Sequence, residues 1–284
     1  MNIHLAKSAG FCSGVKRAVR LALETAHNKD VPVSMLGDIV HNEHVVRELD
    51  LAGIQVVESL DQIESGVLLV RAHGAVPEIY EKARQKGLDI ADATCPLVLD
   101  IHNVARRLDA EGYQVVVIGD HGHDEVIGIA GQAASSMIVA SPEEAGRMFQ
   151  KKGARLGVVV QSTQDITNVQ NILAVLASKC RELKFFNTIC APTTKHQQEI
   201  RELPHLHDVI IIIGSYTSAN TCRMTSIAKA LNPRTYQVES ADDVNPEWFR
   251  GTDSVGVSAG ASTPDTIIRK VIERIREIAE ETEQ

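Results

Sequence analysis

Residues 208–220 read DVIIIIGSYTSAN, an apolar run of strand length followed by a turn of small and polar residues. A strand that is buried on both faces of a parallel sheet has this nearly continuous apolar character. The segment that follows the turn is amphipathic at helical spacing, so it predicts a helix. A strand, a polar turn and a helix in this order are typical of a parallel α/β unit, and the order recurs along the chain.

Nine such junctions occur, and they divide into three groups of three. The first junction of each group contains Cys12, Cys95 or Cys190. From that cysteine to the polar residue of the second junction the spacing is 29, 28 and 28 residues, which predicts a diverged threefold repeat. The nine junctions are residues 10–14, 40–43, 72–74, 93–96, 121–125, 161–163, 189–192, 214–220 and 259–262.

The predicted fold class is therefore α/β, with three small domains related by pseudo-threefold symmetry. The predicted units are residues 1–94, 95–189 and 190–262, and the C-terminal helix, residues 263–284, is expected to pack back on the first unit. Ligands of open α/β sheets bind beyond the carboxyl ends of the strands, where all nine junctions lie. If the three sheets face a common centre, the junctions converge on one cavity.

Composition excludes several classes of function. The chain has 284 residues and a net charge of −8, so it has no basic excess for a nucleic-acid backbone. Its longest apolar runs are far shorter than the roughly 18 residues that a membrane span needs. The first residues, MNIHLAK, lack the features of an export signal, and we expect a cytoplasmic protein without a membrane partner.

The five cysteines are an odd number and widely spread, which favours metal ligation or burial over a disulfide framework. Three thiolates from separate loops suit a metal centre with one open position. Zinc with a water ligand and an iron–sulfur cluster without a fourth protein ligand both fit, and burial as small apolar side chains is the alternative. The repeat position favours a metal role for Cys12, Cys95 and Cys190. Cys180 and Cys222 open no junction, so we assign both to burial.

The other junctions carry hydrogen-bond donors, namely His41, His73, His123, Ser218, Asn220 and Ser262. Collected around one cavity at helix N-termini, such donors predict an anion pocket, and a diphosphate fits it well. Glu125, two residues after His123, is either a favourable charge at a helix N-terminus or a general acid. The spacing His121-x-His123-x-Glu125 also allows a mononuclear metal site, a weaker hypothesis because it leaves the three cysteines unexplained.

Several motifs together resemble one family. The sequence is similar over nearly its whole length to the 4-hydroxy-3-methylbut-2-enyl diphosphate reductases (IspH/LytB). The matching stretches are GFCSGV at residues 10–15, VHN at 40–42, AHGA at 72–75, DATCPLV at 92–98, GHDEV at 122–126, GQ at 131–132, ICAPTT at 189–194 and AGAS at 259–262.

The resemblance implies a trefoil of three α/β domains around a [4Fe-4S] cluster with one open iron, held by Cys12, Cys95 and Cys190. It implies reductive removal of the substrate's allylic hydroxyl with two electrons and two protons, giving isopentenyl and dimethylallyl diphosphates and water. A ferredoxin- or flavodoxin-type protein would supply the electrons. The implied catalytic residues are Glu125, Ser162 and His123, with Glu125 delivering a proton. The implied substrate-binding residues are His41, His73, His123, Ser162, Thr163, Ser218, Asn220 and Ser262.

The chain departs from the family's usual pattern at three positions. Ser162 stands where Thr is usual, Ala219 where Ser is usual, and Asp124 where Pro is usual. These differences keep open a paralogue that acts on a related allylic substrate. A zinc hydrolase built on the three cysteines and a cluster-based redox or ligand sensor are the remaining alternatives.

Overall fold

The computed structural model describes residues 1–28, 31–148, 154–251 and 253–282. The chain forms two compact units. Unit 1 combines Met1–Val15, His41–Val45 and the described part of Ala191–Gln284, and unit 2 combines Lys16–Val40 with the described part of Val46–Cys190.

Strands and helices alternate along nearly the whole chain. The strands are β1 (Asn2–Leu5), β2 (Val33–Leu36), β3 (Ile54–Val57), β4 (Val67–Val70), β5 (Asp89–Asp92), β6 (Gln114–Ile118), β7 (Ser136–Val139), β8 (Ala154–Val160), β9 (Cys180–Phe185), β10 (Val209–Ile213), β11 (Thr235–Val238) and β12 (Ser254–Ala259).

The helices are α1 (Ser13–Asn28), α2 (Glu43–Leu51), α3 (Pro77–Gln85), α4 (Pro96–Ala110), α5 (Asp124–Ala130), α6 (Pro142–Met148), α7 (Ile166–Lys179), α8 (Ala191–Leu206), α9 (Ala219–Leu231) and α10 (Asp265–Thr282). Short 3₁₀ helices occur at Leu60–Gln62, Ala241–Asp243 and Pro246–Trp248. In the part of the chain that the structure describes, every helix is too short or too polar to cross a bilayer.

The described strands form three four-stranded sheets with one common strand order. Unit 1 holds the sheet β1-β12-β10-β11, and unit 2 holds the sheets β5-β4-β2-β3 and β9-β8-β6-β7. All pairings are parallel. The predicted α/β class with three α/β units is confirmed. The repeat is visible in the strand order, which is the same in all three sheets.

The cysteine closes each repeat, whereas the sequence analysis placed it at the opening. Cys95 and Cys190 follow the edge strands β5 and β9, and Cys12 follows β1, which is the edge strand of the third sheet. Strand β1 pairs with β12 from Asn2 opposite Ser254 to Leu5 opposite Val257. Strand β1 therefore belongs to the third sheet. The predicted unit of residues 1–94 thus contains strands of two different sheets.

Helix α10 packs on residues of both the first and the last predicted unit, because Ile3 of β1 and Ala9 lie against the same apolar cluster as the side chains of β10 and β12. It presents Ile267, Val271 and Ile275 to the β10 and β12 side chains in the core of unit 1. This packing follows from the sheet order, because β12 leads directly into α10 and the helix covers the sheet that its own strand joins.

Strand β10 explains the apolar run of residues 208–214. Val209 and the four isoleucines after it are fully buried. Val209, Ile211 and Ile213 face the core shared with α10, whereas Ile210 and Ile212 face the core shared with α8 and α9. Both faces of the strand are covered, so its sequence does not alternate between polar and apolar residues.

Candidate functional site

Each of the three predicted metal ligands immediately precedes a helix. Cys12 lies before α1, Cys95 before α4 and Cys190 before α8. The N-terminus of a helix presents main-chain N–H groups and the positive end of the helix dipole, which favour a negatively charged ligand such as a thiolate. In unit 1 the Val15 N–H lies 3.4 Å from the Cys12 sulfur. All three cysteines are half-buried.

The three cysteines share a second feature, a main-chain hydrogen bond to the loop that follows the neighbouring strand. The Cys12 N–H donates to Ala261 O at 3.1 Å, the Cys95 N–H to Ala72 O at 3.0 Å, and the Cys190 N–H to Ser162 O at 3.0 Å. These acceptor loops contain Ser262, His73 and Ser162. In every sheet, therefore, the backbone couples one predicted ligand to one predicted substrate-binding residue.

The two other cysteines occupy different positions. Cys180 starts β9 and packs against the apolar core of unit 2. Cys222 lies inside α9, and its Sγ donates to Tyr216 O at 3.0 Å. Neither precedes a helix, but both are half-buried like the other three cysteines, so their burial is less complete than the assignment to burial predicts.

Glu125 is buried in unit 2 and bound to Ser162. Its exposed fraction is 2%. The Ser162 main-chain N–H donates to one carboxylate oxygen at 2.6 Å, and the Ser162 hydroxyl donates to the other at 2.8 Å. A carboxyl group paired in this way has a fixed orientation and a hydroxyl neighbour that can relay a proton. Thr163, next to Ser162, accepts a hydrogen bond from the Gln161 side chain at 3.0 Å.

His123 caps helix α5, which begins at Asp124. The His123 Nδ1 atom accepts the Glu125 main-chain N–H at 3.2 Å. Because Nδ1 accepts, the hydrogen of the neutral ring is on Nε2, and His123 can offer Nε2–H as a donor. The His73 ring lies edge-to-face with the His123 ring, with centroids 5.4 Å apart. Unit 2 thus brings together His73, His123, Glu125 and Ser162.

The loop that carries His73 packs on a buried histidine of α4. Gly74 has φ of +75°, and a Cβ atom at this position would lie 2.8 Å from His102 Cε1. His102 is 3% exposed, and burial, with Arg106 as the second cause, lowers its pKa to about 4. The neutral imidazole of His102 thus packs against Gly74 in the loop that carries His73.

Unit 1 supplies the remaining predicted substrate-binding residues. Ser218 caps α9 and accepts the Thr221 N–H at 3.4 Å. Asn220 is 4% exposed, and its Oδ1 has no hydrogen-bond partner among the described residues. The Ser262 hydroxyl donates to the His41 carbonyl oxygen at 3.2 Å. All four residues are ones that the sequence predicts, and their junctions all lie between a strand and a helix.

The structure does not support the mononuclear metal hypothesis for His121-x-His123-x-Glu125. His121 is exposed, and its Nε2 lies 2.7 Å from Glu144 Oε1. Glu125 instead points into the interior toward Ser162. The two end residues of the motif therefore face different partners.

Three polar residues next to predicted site residues of their own unit were not predicted from the sequence. Arg71, the first residue after β4, binds Asp124 at 2.6 Å. Asn42 caps α2 by accepting the His44 N–H at 3.0 Å. His196 on α8 is 2% exposed, shares a hydrogen bond with Ser8 O and lies 3.5 Å from the Asn220 amide nitrogen. Burial lowers the His196 pKa, although its bond to Ser8 acts in the opposite direction. The signal for His196 would have been a histidine on the face of α8 that is otherwise buried.

The fold and site define an α/β protein in which each of three parallel sheets ends in a cysteine that precedes a helix. The family model described as "LytB protein" matches residues 3–276. The chain belongs to the LytB family. A similar curated protein is the 4-hydroxy-3-methylbut-2-enyl diphosphate reductase of Geobacter metallireducens, which is 44% identical over 279 residues and covers 98% of each chain.

Two solved structures are also similar. One is (E)-4-hydroxy-3-methyl-but-2-enyl diphosphate reductase, the terminal enzyme of the non-mevalonate pathway, with 40% identity, a TM-score of 0.71 and coverage of 97% of this chain and 99% of that chain. The other is the E-1-hydroxy-2-methyl-but-2-enyl-4-diphosphate reductase from Plasmodium falciparum, with 27% identity, a TM-score of 0.91 and coverage of 96% and 87%. The predicted family and the predicted class, an oxidoreductase of isoprenoid biosynthesis, are confirmed.

Proposed function

We propose that this chain reduces (E)-4-hydroxy-3-methylbut-2-enyl diphosphate to isopentenyl and dimethylallyl diphosphates, the activity named for its relatives. One C–O bond breaks, two electrons and two protons enter, and the hydroxyl leaves as water. The observation that carries the proposal is the repeated arrangement of Cys12, Cys95 and Cys190, each at the start of a helix and each bonded to a loop that carries a polar side chain.

The donor set fits an iron–sulfur cluster. Three half-buried thiols at helix N-termini provide soft ligands in positive electrostatic surroundings, and no fourth cysteine shares their position in the described residues. We propose that Cys12, Cys95 and Cys190 hold one [4Fe-4S] cluster with one iron open to substrate. When bound, such a cluster supplies electrons and a Lewis-acidic iron for the hydroxyl oxygen.

The protein's own groups would bind and orient the diphosphate. His41, Ser218, Asn220 and Ser262 from unit 1, with His73, His123, Ser162 and Thr163 from unit 2, supply the polar contacts. Four of these residues lie within two residues of a helix start, where N–H groups favour phosphate oxygens. They are His41, His123, Ser218 and Asn220. Contacts to the diphosphate, remote from the breaking bond, position the allylic hydroxyl.

Glu125 would deliver the proton that lets the hydroxyl leave as water. Its burial and its two bonds from Ser162 fix the carboxyl group, and the adjacent Ser162 hydroxyl offers a proton path. His123 holds Glu125 at the main chain through the cap on the Glu125 N–H, so its role includes the position of the acid as well as a contact to the diphosphate.

The reaction needs two electrons from outside the chain. We propose a ferredoxin- or flavodoxin-type protein, since each carries electrons singly at low potential. The net charge of −8 allows such a partner if a local basic patch contacts it.

Anaerobic turnover tests the proposed function. Protein purified without oxygen is mixed with the synthetic diphosphate and a reduced one-electron donor, and the products are measured by mass spectrometry. We expect both five-carbon diphosphates and donor oxidation in a ratio of two electrons per product. An iron-loaded protein that binds the diphosphate but never releases either product would support a sensor instead, and a colourless zinc protein would support the hydrolase.

A further inference from the structure

An ion pair, Arg71–Asp124, lies next to the predicted acid Glu125 in unit 2. Arg71 follows β4 directly and lies two residues before His73, whereas Asp124 is the first residue of α5 and lies between His123 and Glu125. Arg71 Nη1 and Asp124 Oδ2 are 2.6 Å apart, and the two side chains are 21% and 26% exposed. The pair therefore joins the loop of one predicted diphosphate ligand to the turn that carries another.

The guanidinium of Arg71 lies close to the backbone of Gly37. Gly37, in the loop after β2, has φ of +69°, and a Cβ atom there would lie 2.6 Å from Arg71 Nη1. Glycine leaves room for the guanidinium in its present position, so the backbone of the β2 loop borders it on one side. An arginine confined in this way loses less conformational entropy when it forms the ion pair.

The acid-bearing turn is then held from two sides. Ser162, on the loop after β8, binds the Glu125 carboxylate, and Arg71, on the loop after β4, binds the preceding residue. Beside the ion pair lies a cavity of about 180 Å³ lined mainly by apolar residues, including Val70, Val76 and Ile127. The Arg71–Asp124 hydrogen bond joins the loop after β4 directly to this turn.

We propose that Arg71 and Asp124 are positioning residues that set the location of Glu125 and His123 relative to His73. This proposal rests on the proposed function, because it assigns the pair a role in that reaction. Asp124 is also a position where the family resemblance leads us to expect Pro. Proline fixes the first turn of a helix through its ring, and here an ion pair holds the same turn.

A double-mutant cycle tests the proposal. The variants are Arg71→Gln, Asp124→Asn and the two combined. The control is Arg155→Gln, which breaks the 2.7 Å pair of Arg155 with Glu182 in the same unit. We expect each single variant to lower kcat about five-fold, since a coupling of about 1 kcal/mol is typical of a close pair. The combined variant should be no slower than the slower single variant.

Hydrogen exchange of the same proteins gives a readout that needs no turnover. In the peptides that cover residues 121–127, exchange should be faster in both single variants and unchanged in Arg155→Gln. If exchange and kcat both stay at the wild-type level in Asp124→Asn, or if the losses of the single variants multiply in the combined one, the proposal is wrong. If the wild-type protein makes no product, the proposed function fails, and exchange alone decides whether the pair fixes this turn.

Discussion

Ser162 binds both oxygens of Glu125, through its main-chain N–H at 2.6 Å and its hydroxyl at 2.8 Å, and its own carbonyl accepts the Cys190 N–H at 3.0 Å. One residue thus connects the predicted proton donor with a predicted metal ligand. All three bonds involve Ser162 in the loop after β8, so helix α5 and the segment that follows β9 are bound to the same loop. We expect changes at Ser162 or Glu125 to affect proton delivery more than metal content.

Replacement of Glu125 by Gln tests proton delivery. Glutamine keeps the shape and can still accept the Ser162 N–H, but it has no proton to give. We expect turnover to fall about 100-fold to 10,000-fold, with iron and sulfide content unchanged. The measurement is anaerobic kcat per iron, with the exposed Glu24→Gln as the control. Turnover near that of the control would remove Glu125 from this role.

Ser162→Ala removes the hydroxyl but keeps the main-chain bond to Glu125. A hydrogen bond contributes about 0.5–1.5 kcal/mol, and the hydroxyl is also the proposed proton path, so we expect kcat to fall roughly ten-fold. Ser162→Thr restores a hydroxyl at the same position and should recover most of the activity. If alanine and threonine variants perform alike, the hydroxyl has no part in the reaction.

His102 makes stability depend on pH. Its pKa falls from 6.5 to about 4 in the folded protein, chiefly through burial. The unfolded chain then binds one more proton between these values, so the contribution of His102 to stability is complete above pH 6.5 and is lost as the pH falls toward 4. Between pH 7 and 5.5 the loss is about 1 kcal/mol.

Urea unfolding at pH 7 and pH 5.5 measures this loss. In His102→Leu the difference between the two pH values should shrink by about 1 kcal/mol, whatever the absolute stability of the variant. If the difference in unfolding free energy between pH 7 and pH 5.5 is unchanged in His102→Leu, His102 is not the source of this pH dependence.

Gly74→Ala tests the packing of the His73 loop. Both Gly74 and Gly87 have positive φ, of +75° and +71°, but a Cβ atom at Gly87 meets nothing within 4 Å. Gly87→Ala should cost about 1 kcal/mol of unfolding free energy from its backbone conformation alone. Gly74→Ala should cost about 3 kcal/mol, because the new methyl group also displaces His102. Equal costs at the two positions would mean that His102 does not confine the loop.

The sequence predicted the repeating pattern well because strand, polar turn and helix are local features. All nine junctions lie between a strand and a helix, and the run from Val209 to Ile213 is the buried strand that its composition indicates. The sheet that contains β1 was not predictable in this way. Pairing of Asn2–Leu5 with residues 254–257 joins the two ends of the chain, and no local pattern specifies such a distant partner.

In the candidate site, too, contacts between distant parts of the chain could not be predicted from local sequence patterns. The chemistry of Glu125 and Ser162 was predicted from motifs, but their mutual hydrogen bonds arise from the packing of α5 against the loop after β8. Arg71 has no motif of its own, and an arginine after a strand is common on protein surfaces. Its role depends on Gly37 and Asp124, which approach it only in the folded chain.

The most direct test of the central claim is the iron and acid-labile sulfide content of the anaerobically purified protein and of its cysteine variants. We predict about four iron and four sulfide per chain for the wild type and for Cys180→Ser, and severe loss in Cys12→Ser, Cys95→Ser and Cys190→Ser. Full iron content in any of the last three, or its loss in Cys180→Ser, would contradict the account.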